Sequence, residues 1–468
     1  MFAVLYWFGL RHHVGADALS DFFRLIRMDT HVGVSPGALR TQLRQMEELL
    51  PAFQQSCETS APSPTQKAIL AADETFFGER LILILMDLSS GYLLLETPQN
   101  NRSFDPWFAQ AAPRLEARGI PVGHAISDRA KALIKLAVVG FGCASGADTF
   151  HEQYGISRWL SPALGRRKTK ANPHCEAAKK ALESLPSEAS AEDKAGLETR
   201  RAQAMETQAK IEAAQKDYQT NLLGISEEVP PFSLEDNTCR TADSVRAGLE
   251  KRAEALESIA AQQGILDPRS ALRKFRAQID ALSSHIRFWW LWVEEILLGW
   301  SVDPATQQWL TGTRLPVLYW HHQMHKTQNQ VHRERYRKTW QKAVQAWEAD
   351  LFHVGLSDSE LQRWLTWGEW MGRQFHRSSS AVEGRNGCLS QMYHNGRGLT
   401  ERRLKALTVI HNYGLRRPDG TTAAARLFGT SFPDLFDWLV SQMGELPIPR
   451  KARQQIVRNP LKFQSVPA

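Results

Sequence analysis

Residues 67–96, KAILAADETFFGERLILILMDLSSGYLLLE, hold the side chains best suited to chemistry. An apolar run, 68–72, ends in the acidic pair Asp73 and Glu74. A carboxylate at the end of a buried strand is held rigidly, which suits a metal ligand or catalytic acid because the sheet fixes its position before an ion arrives. The alternative is a strand that runs out into a solvated acidic turn. Asp128 occupies a similar place: residues 122–127 (VGHAIS) read as a short strand, a helix follows from Ala130, and the acid sits at the junction. A further short segment, 146–151, presents Asp148, Phe150 and His151.

These acids need a sheet behind them. Two β-type runs, 81–86 and 92–95, joined by Ser89, Ser90 and Gly91, predict adjacent strands with Asp87 and Glu96 near their ends. A helix over 106–117 separates them from the strand at 122–127. The order of three strands, helix, strand, helix, strand predicts a mixed α/β sheet, a meander extended by crossovers. Upstream, residues 16–28 have helical apolar spacing, and Ser35 with Pro36 forms a strong start signal for a second helix. That helix carries Arg40 and Arg44 four residues apart, an arrangement like a helix-turn-helix reading a major groove; paired helices with no such role are the plainer alternative. A Pro/Ser/Thr-rich linker, 59–66, follows, and the aromatic opening of the chain suggests a further segment before it.

From 157 to about 371 the pattern is helical almost throughout, with a break at 185–190 and a loop at 224–237. Within it, His321, His322 and His325 have helix spacing for a metal, but with no suitably placed carboxylate and with Lys326, Arg333 and Arg335 nearby they read as surface or phosphate contacts. Trp289, Trp290 and Trp292 lie in a dense apolar run and read as core, since base stacking needs exposed rings. The run 288–300 contains Glu294 and Glu295 and is about half the length of a membrane span.

At 468 residues the chain exceeds one ordinary core, so two to four units are expected. Its 57 Lys and Arg against 50 Asp and Glu give +7, and residues 371–468 alone hold 15 against 6, a local +9. A basic C-terminal fifth points to an anionic partner, most economically nucleic acid. Five cysteines without CxxC spacing exclude a disulfide framework or zinc module and fit a reduced, cytoplasmic chain.

In order and context these residues resemble the RNase H-like DDE transposases and integrases, most closely bacterial insertion-sequence transposases with a long helical insertion before the last acid. Four segments carry the resemblance: DETFFGERLILILMDLSSGYLLLE, SDRAKALIKLA, GADTFHEQY and SSSAVEGRNGCLSQM. It implies an RNase H-like mixed sheet with the first acid on the first strand, the second after the fourth and the third on a helix after the fifth. Asp73 and Asp128 match the first two, and Glu383, in the first turn of a helix capped by the serines 378–380, matches the third, with Glu369 as runner-up. A Glu at that position is also favoured by the helix dipole alone. The signature of one cut-and-paste subgroup would require Tyr, Arg and Lys where this chain has His376, Ser379 and Ser390, so the resemblance is to the wider fold.

The implied activity is strand cleavage and strand transfer at the ends of a mobile element, with two Mg²⁺ ions, or Mn²⁺ as substitute, held by Asp73, Asp128 and Glu383. Arg129, His151, Arg385 and Asn386 would stand beside the site or grip phosphate. Arg40, Arg44, Arg402, Arg403 and Lys405 would bind double-stranded DNA, both element ends and target, in a homodimer or larger synaptic complex without a membrane role. The implied domains are an N-terminal helix-turn-helix-like unit over 1–60, a catalytic domain over 61–156 and 371–430, an all-helical insertion over 157–370 and a basic tail over 431–468. A structure-specific nuclease of the same fold, or a non-catalytic DNA-binding derivative, are the alternatives.

Overall fold

The structure, a computed structural model, describes residues 1–186, 188–394 and 398–449. It divides into two compact units: Met1–Pro62 with the described residues of 391–468, and Ser63–Ser390.

After a helical stretch over residues 2–11 the first unit continues with α1 (Ala16–Leu25) and α2 (Pro36–Ser60), and the expected start signal is present: the Ser35 side chain accepts a hydrogen bond from the Ala38 amide, with Pro36 in the first turn. Helix α2 runs for 25 residues and buries Leu39, Met46, Leu50, Phe53 and Cys57 along one face.

The second unit holds the sheet. Strands β1 (Ala68–Phe77), β2 (Arg80–Asp87), β3 (Tyr92–Gln99), β4 (Val122–Ser127) and β5 (Ala144–Ala147) lie in the order β3-β2-β1-β4-β5. The meander β1–β2–β3 is antiparallel, and β4 and β5 add in parallel beside β1, the mixed α/β sheet expected from the alternation of elements. At the β2–β3 turn the buried Asp87 accepts from the amides of Ile69 and Ser90, a structural cap. Helix α3 (Phe104–Ala117) leads to β4.

The helices that follow are α4 (Thr149–Glu183), α5 (Ala191–Glu228), α6 (Ala242–Gln262), α7 (Ala271–Gly299), α8 (Leu315–Lys326), α9 (Gln330–Ala349), α10 (Asp358–Arg373) and α11 (Ser380–Met392). They do not form a domain of their own over 157–370. Helix α4 begins at the end of β5, and α7 packs on β4 and β5 within the same unit as the sheet. Small residues on the strands permit this approach: a Cβ on Gly146 would sit 2.6 Å from the His124 Nε2 atom, with His285 of α7 closer still. His285 Nε2 lies 2.7 Å from the Ala147 carbonyl, which can only accept, so His285 carries its proton there and its Nδ1 accepts from His124 Nε2 at 3.0 Å. Burial pushes both imidazoles below their usual range, His285 to about 4, so the pair is neutral. Trp289 and Trp292 are buried on the same helix, as expected for core rings, and Trp289 donates to the Met371 carbonyl.

The chain then returns to the first unit with α12 (Glu401–Val409), α13 (Ala423–Phe428) and α14 (Leu435–Gln442). This corrects two expected boundaries. Residues 1–60 do not fold alone, since α12 and α14 pack on α2, and the expected catalytic segment 371–430 divides at Ser390 and Gln391. Residues 450–468 of the expected basic tail lie outside the described residues. No helix among the described residues is long and apolar enough to cross a membrane.

Gly146→Ala should lower stability by roughly 1–3 kcal/mol through overpacking between β5 and α7. A thermal melt of the variant against Gly165→Ala, whose Cβ would meet no atom within 4 Å and whose backbone is not left-handed, separates steric overpacking from loss of glycine as such.

Candidate active site

The strand register assembles the acids. Ala71 of β1 is level with Ile126 of β4, and Ile126 is level with Gly146 of β5. Two residues further along each chain stand Asp73, Asp128 and Asp148, so three neighbouring parallel chains bring an aspartate to the same level, and residues two apart point to the same face. Asp73 is not at the end of its strand as expected, because β1 continues to Phe77 beside β2. It stands instead two residues past the last level that β1 shares with β4, Ala71 with Ile126. Asp128 is the first residue beyond β4, and Asp148 follows β5 directly.

The three acids have different environments. Asp148 is fully buried and caps α4: its Oδ1 accepts from the amides of Phe150 and His151 at 2.7 and 3.3 Å, while its Oδ2 accepts from the Ser379 amide at 2.7 Å and from the Ser379 hydroxyl. Burial, the largest single influence, pushes its pKa up, but the hydrogen bonds from His151 and Ser379 bring it net below the usual value. Asp73 accepts from the Glu74 amide and the Asn386 side chain, at 2.8 and 2.7 Å. Burial raises it to about 6, opposed by the Glu74 amide and by His151, with Asp128 and Glu383 adding repulsion. Asp128 is exposed, its Oδ1 accepting from the Ala130 amide.

Helix α11 brings the fourth acid, and the sheet register shows how it is anchored. Asp73 pairs with Ile84, and Ile84 with Glu96, so Asp73 and Glu96 share one face two strands apart, about 10 Å. On α11, Arg385 donates through Nε and a terminal nitrogen to both oxygens of Glu96, each at 2.6 Å, and its neighbour Asn386 donates to Asp73. Glu383 lies one turn before Asn386, and its carboxylate approaches His151 Nδ1 at 3.7 Å, with Asp148 at 3.6 Å on the other side. The hydrogen bond with Asp148 is the chief reason His151 is raised to about 9, against burial and with help from Glu383 and Asp73; the ring is a cation at neutral pH. Glu383 is itself raised, by burial first and then by Asp148.

The structure therefore brings Asp73, Asp128, Glu383, His151 and Asn386 together. Of the two roles expected for Arg385, standing beside the site or gripping phosphate, its burial and its pairing with Glu96 fit the first. Arg129, with a left-handed backbone at φ 60°, donates to the Ser145 carbonyl and braces β5 from behind the junction. Glu74, beside Asp73, pairs with Arg102. Glu369 pairs only loosely with Arg373, both of them exposed on α10.

In the first unit the expected DNA-binding cations are engaged within the unit. Arg40 pairs with Asp17 at 2.6 Å and Arg44 with Glu48 at 2.9 Å, both at the surface. Arg402 and Arg403 converge on the buried Glu47, and Arg403 also donates to the Gly9 carbonyl, so these two arginines stabilise the packing of α12 on α2. Lys405 is exposed beside Glu401.

Two participants escaped the sequence reading. Asp148 appears there only as part of a motif, although its place one residue before a helix marks it as a cap. Glu152, one turn after it, is raised to about 7, by burial first, against His151 and with Asp148 adding repulsion. Its position one residue after His151 in the first turn of α4 was the available signal. The site suits a hard cation. Asp148, His151 and Glu383 each offer a ligand atom, all within 4.8 Å of one another. With all its lone pairs engaged Asp148 is the poorest donor of the three.

A family model described as a family of unknown function, DUF6399, matches residues 310–455, a stretch that includes Glu383 but neither aspartate of the sheet. No curated protein and no solved structure matches the chain.

Arg385→Ala strands Glu96 unpaired in the interior and should cost about 3–5 kcal/mol of stability, read by chemical denaturation. Asp73→Asn should act in the opposite direction in metal-free protein. A raised folded pKa means that stability is complete below the unfolded value near 3.8 and is lost as pH climbs through about 6. At pH 8 the variant should be more stable than the parent by roughly 2–3 kcal/mol, and below pH 4 equal to it. Equal melting temperatures for the two proteins at pH 8 in EDTA would contradict the burial of an ionised Asp73.

Proposed function

We propose that this chain is an RNase H-like enzyme of the DDE transposase kind, cutting and joining DNA strands at the ends of a mobile element with divalent metal. The observation that carries the reading is the convergence of Asp73 and Asp128, level on parallel neighbours, with Glu383, delivered by a helix that Asn386 ties to Asp73. Support also comes from the sheet, in which an antiparallel meander is extended by parallel strands and the acids fall on the first strand, after the fourth and on a helix beyond the fifth.

Asp73, Asp128 and Glu383 would hold Mg²⁺, which when bound activates a water or a DNA 3′-hydroxyl and stabilises the leaving oxygen. The protein's own groups prepare the site. The amide of Glu74 and the side chain of Asn386 fix the Asp73 carboxylate before any ligand arrives, as rigid catalysis requires. His151, cationic at neutral pH, moderates the repulsion between Glu383 and Asp73 and orients Glu383. Glu152, raised to about 7, can hold or release a proton at its carboxylate near physiological pH, where general acid–base groups work best. No side chain need become a covalent nucleophile. The proposed setting is the cytoplasm, with two copies pairing two DNA ends.

The test is strand nicking and joining on supercoiled and oligonucleotide DNA with Mg²⁺ or Mn²⁺. Asp73→Ala, Asp128→Ala and Glu383→Ala should each reduce both reactions roughly 10²–10³-fold, the rate equivalent of losing several kcal/mol of charge stabilisation, with helix content unchanged by circular dichroism. Activity surviving all three substitutions would refute the assignment. Nicking without joining would place the chain among nucleases instead, and binding without either among DNA-binding derivatives.

A further inference from the structure

Beside the acid cluster lies a groove of about 1120 Å³, within the second unit, whose floor at one end is Asp128, His151 and Glu152. Away from that end its walls turn basic. Arg158, Arg166 and Lys170 line it from α4, and Arg269 and Lys274 from the start of α7 and the residues before it. All five are exposed, and none has an ion-pair partner among the described residues. Other cations on the same and neighbouring helices are paired, Lys179 with Glu176, Lys210 with Glu206, Arg246 with Asp243 and Asp280, and Arg276 with Glu257, while Lys194, Arg200, Arg201, Lys216 and Lys251 are not among the described residues, so what sets the five apart is their alignment along one groove. Unpaired like charges along one wall repel one another unless something anionic lies between them.

The wall has the geometry of a track. Residues 151, 155, 158, 159, 163, 166 and 170 recur every three or four positions, so they occupy one face of α4. At 1.5 Å per residue, Arg158 to Lys170 covers about 18 Å and Glu152 to Lys170 about 27 Å. A small-molecule site gathers its polar groups around one centre, whereas here the cations are strung out in a line that begins at the acids. One DNA strand presents a phosphate roughly every 3.4 Å of helix rise, so 18 Å of wall faces about five of them. The opposite wall is fixed by backbone contacts: Trp159 donates to the Leu266 carbonyl and Arg167 to that of Gly264, holding the loop before α7 against α4.

We infer that this groove is the track for the backbone of the DNA strand leading away from the scissile phosphate, gripped by Arg158, Arg166, Lys170, Arg269 and Lys274. The choice of DNA as the polyanion rests on the activity proposed above; the track itself rests on the groove.

The experiment measures DNA binding in EDTA by fluorescence anisotropy across a salt series, so that no cleavage intervenes. The full chain is compared with a fivefold variant, Arg158→Ala, Arg166→Ala, Lys170→Ala, Arg269→Ala and Lys274→Ala. A charge-matched control carries Lys194→Ala, Arg200→Ala, Arg201→Ala, Lys216→Ala and Lys251→Ala, exposed positions on α5 and α6 outside the groove. The slope of log affinity against log salt should fall by about 0.7–0.9 for each cation that meets a phosphate, so by roughly 3.5–4.5 in the groove variant and by less than about 1 in the control. Equal losses in the two variants, or no loss in either, would overturn the track. So would displacement of the DNA by polyglutamate at equal charge concentration, which would make the groove a site for acidic polypeptide. A groove-dependent slope without any metal-dependent cutting would leave the track standing and remove the proposed enzyme; cutting that survives the fivefold variant at unchanged affinity would do the reverse.

Discussion

The docking of α11 on the sheet face is the constraint from which the site follows. This helix begins more than 280 residues after β3, yet Arg385 delivers a guanidinium to Glu96 of that strand with both oxygens engaged. Taking both charges from water is unfavourable, and only bidentate geometry recovers the loss. The pair therefore tolerates one register of helix against sheet. In that register Asn386 meets Asp73, and Glu383 faces His151. The Asp148–Ser379 contact repeats the constraint at the start of α11, tying it to the end of β5.

With the acids so gathered, the electrostatics are unfavourable without a cation. Asp73, Glu152 and Glu383 all shift upward, burial being the largest cause in each, and His151 shifts upward as the counter-charge. Carboxylates and a histidine perturbed together in a cleft are a pattern that functional sites share. Glu227, paired with Arg335 and His332, is by contrast lowered despite burial, the largest influence on it. Local instability of this kind is supported elsewhere: the neutral His124–His285 pair and the close packing of α7 on β4 and β5 hold the floor on which Asp148 stands.

The helical segment once expected as an insertion with its own fold contributes to the same unit. Its first helix supplies the site's histidine and Glu152 at one end and a row of unpaired cations further along, so a single rod links the acids to the basic wall. The basic residues of the first unit have another role. Arg402 and Arg403 neutralise the buried Glu47, and Arg40 and Arg44 have acidic neighbours. Local excess of positive charge in the sequence thus identifies neither the residues that are free nor the surface that they form.

Several features were legible without coordinates because they depend on short-range physics: the alternation that makes the meander, the Ser35–Pro36 helix start, the break between α4 and α5, the buried Trp289, Asp128 just past its strand and Glu383 in the first turn of its helix. Tertiary structure alone decided which acids share a level, since that depends on a strand register no local pattern encodes. It also decided that Arg385 belongs to Glu96 and not to phosphate, that Asp148 is a latch, and that Glu152 titrates near neutrality. A side chain's type is fixed by its codon, whereas its partner and the water around it are set by residues far along the chain; for charged groups those two conditions determine the chemistry.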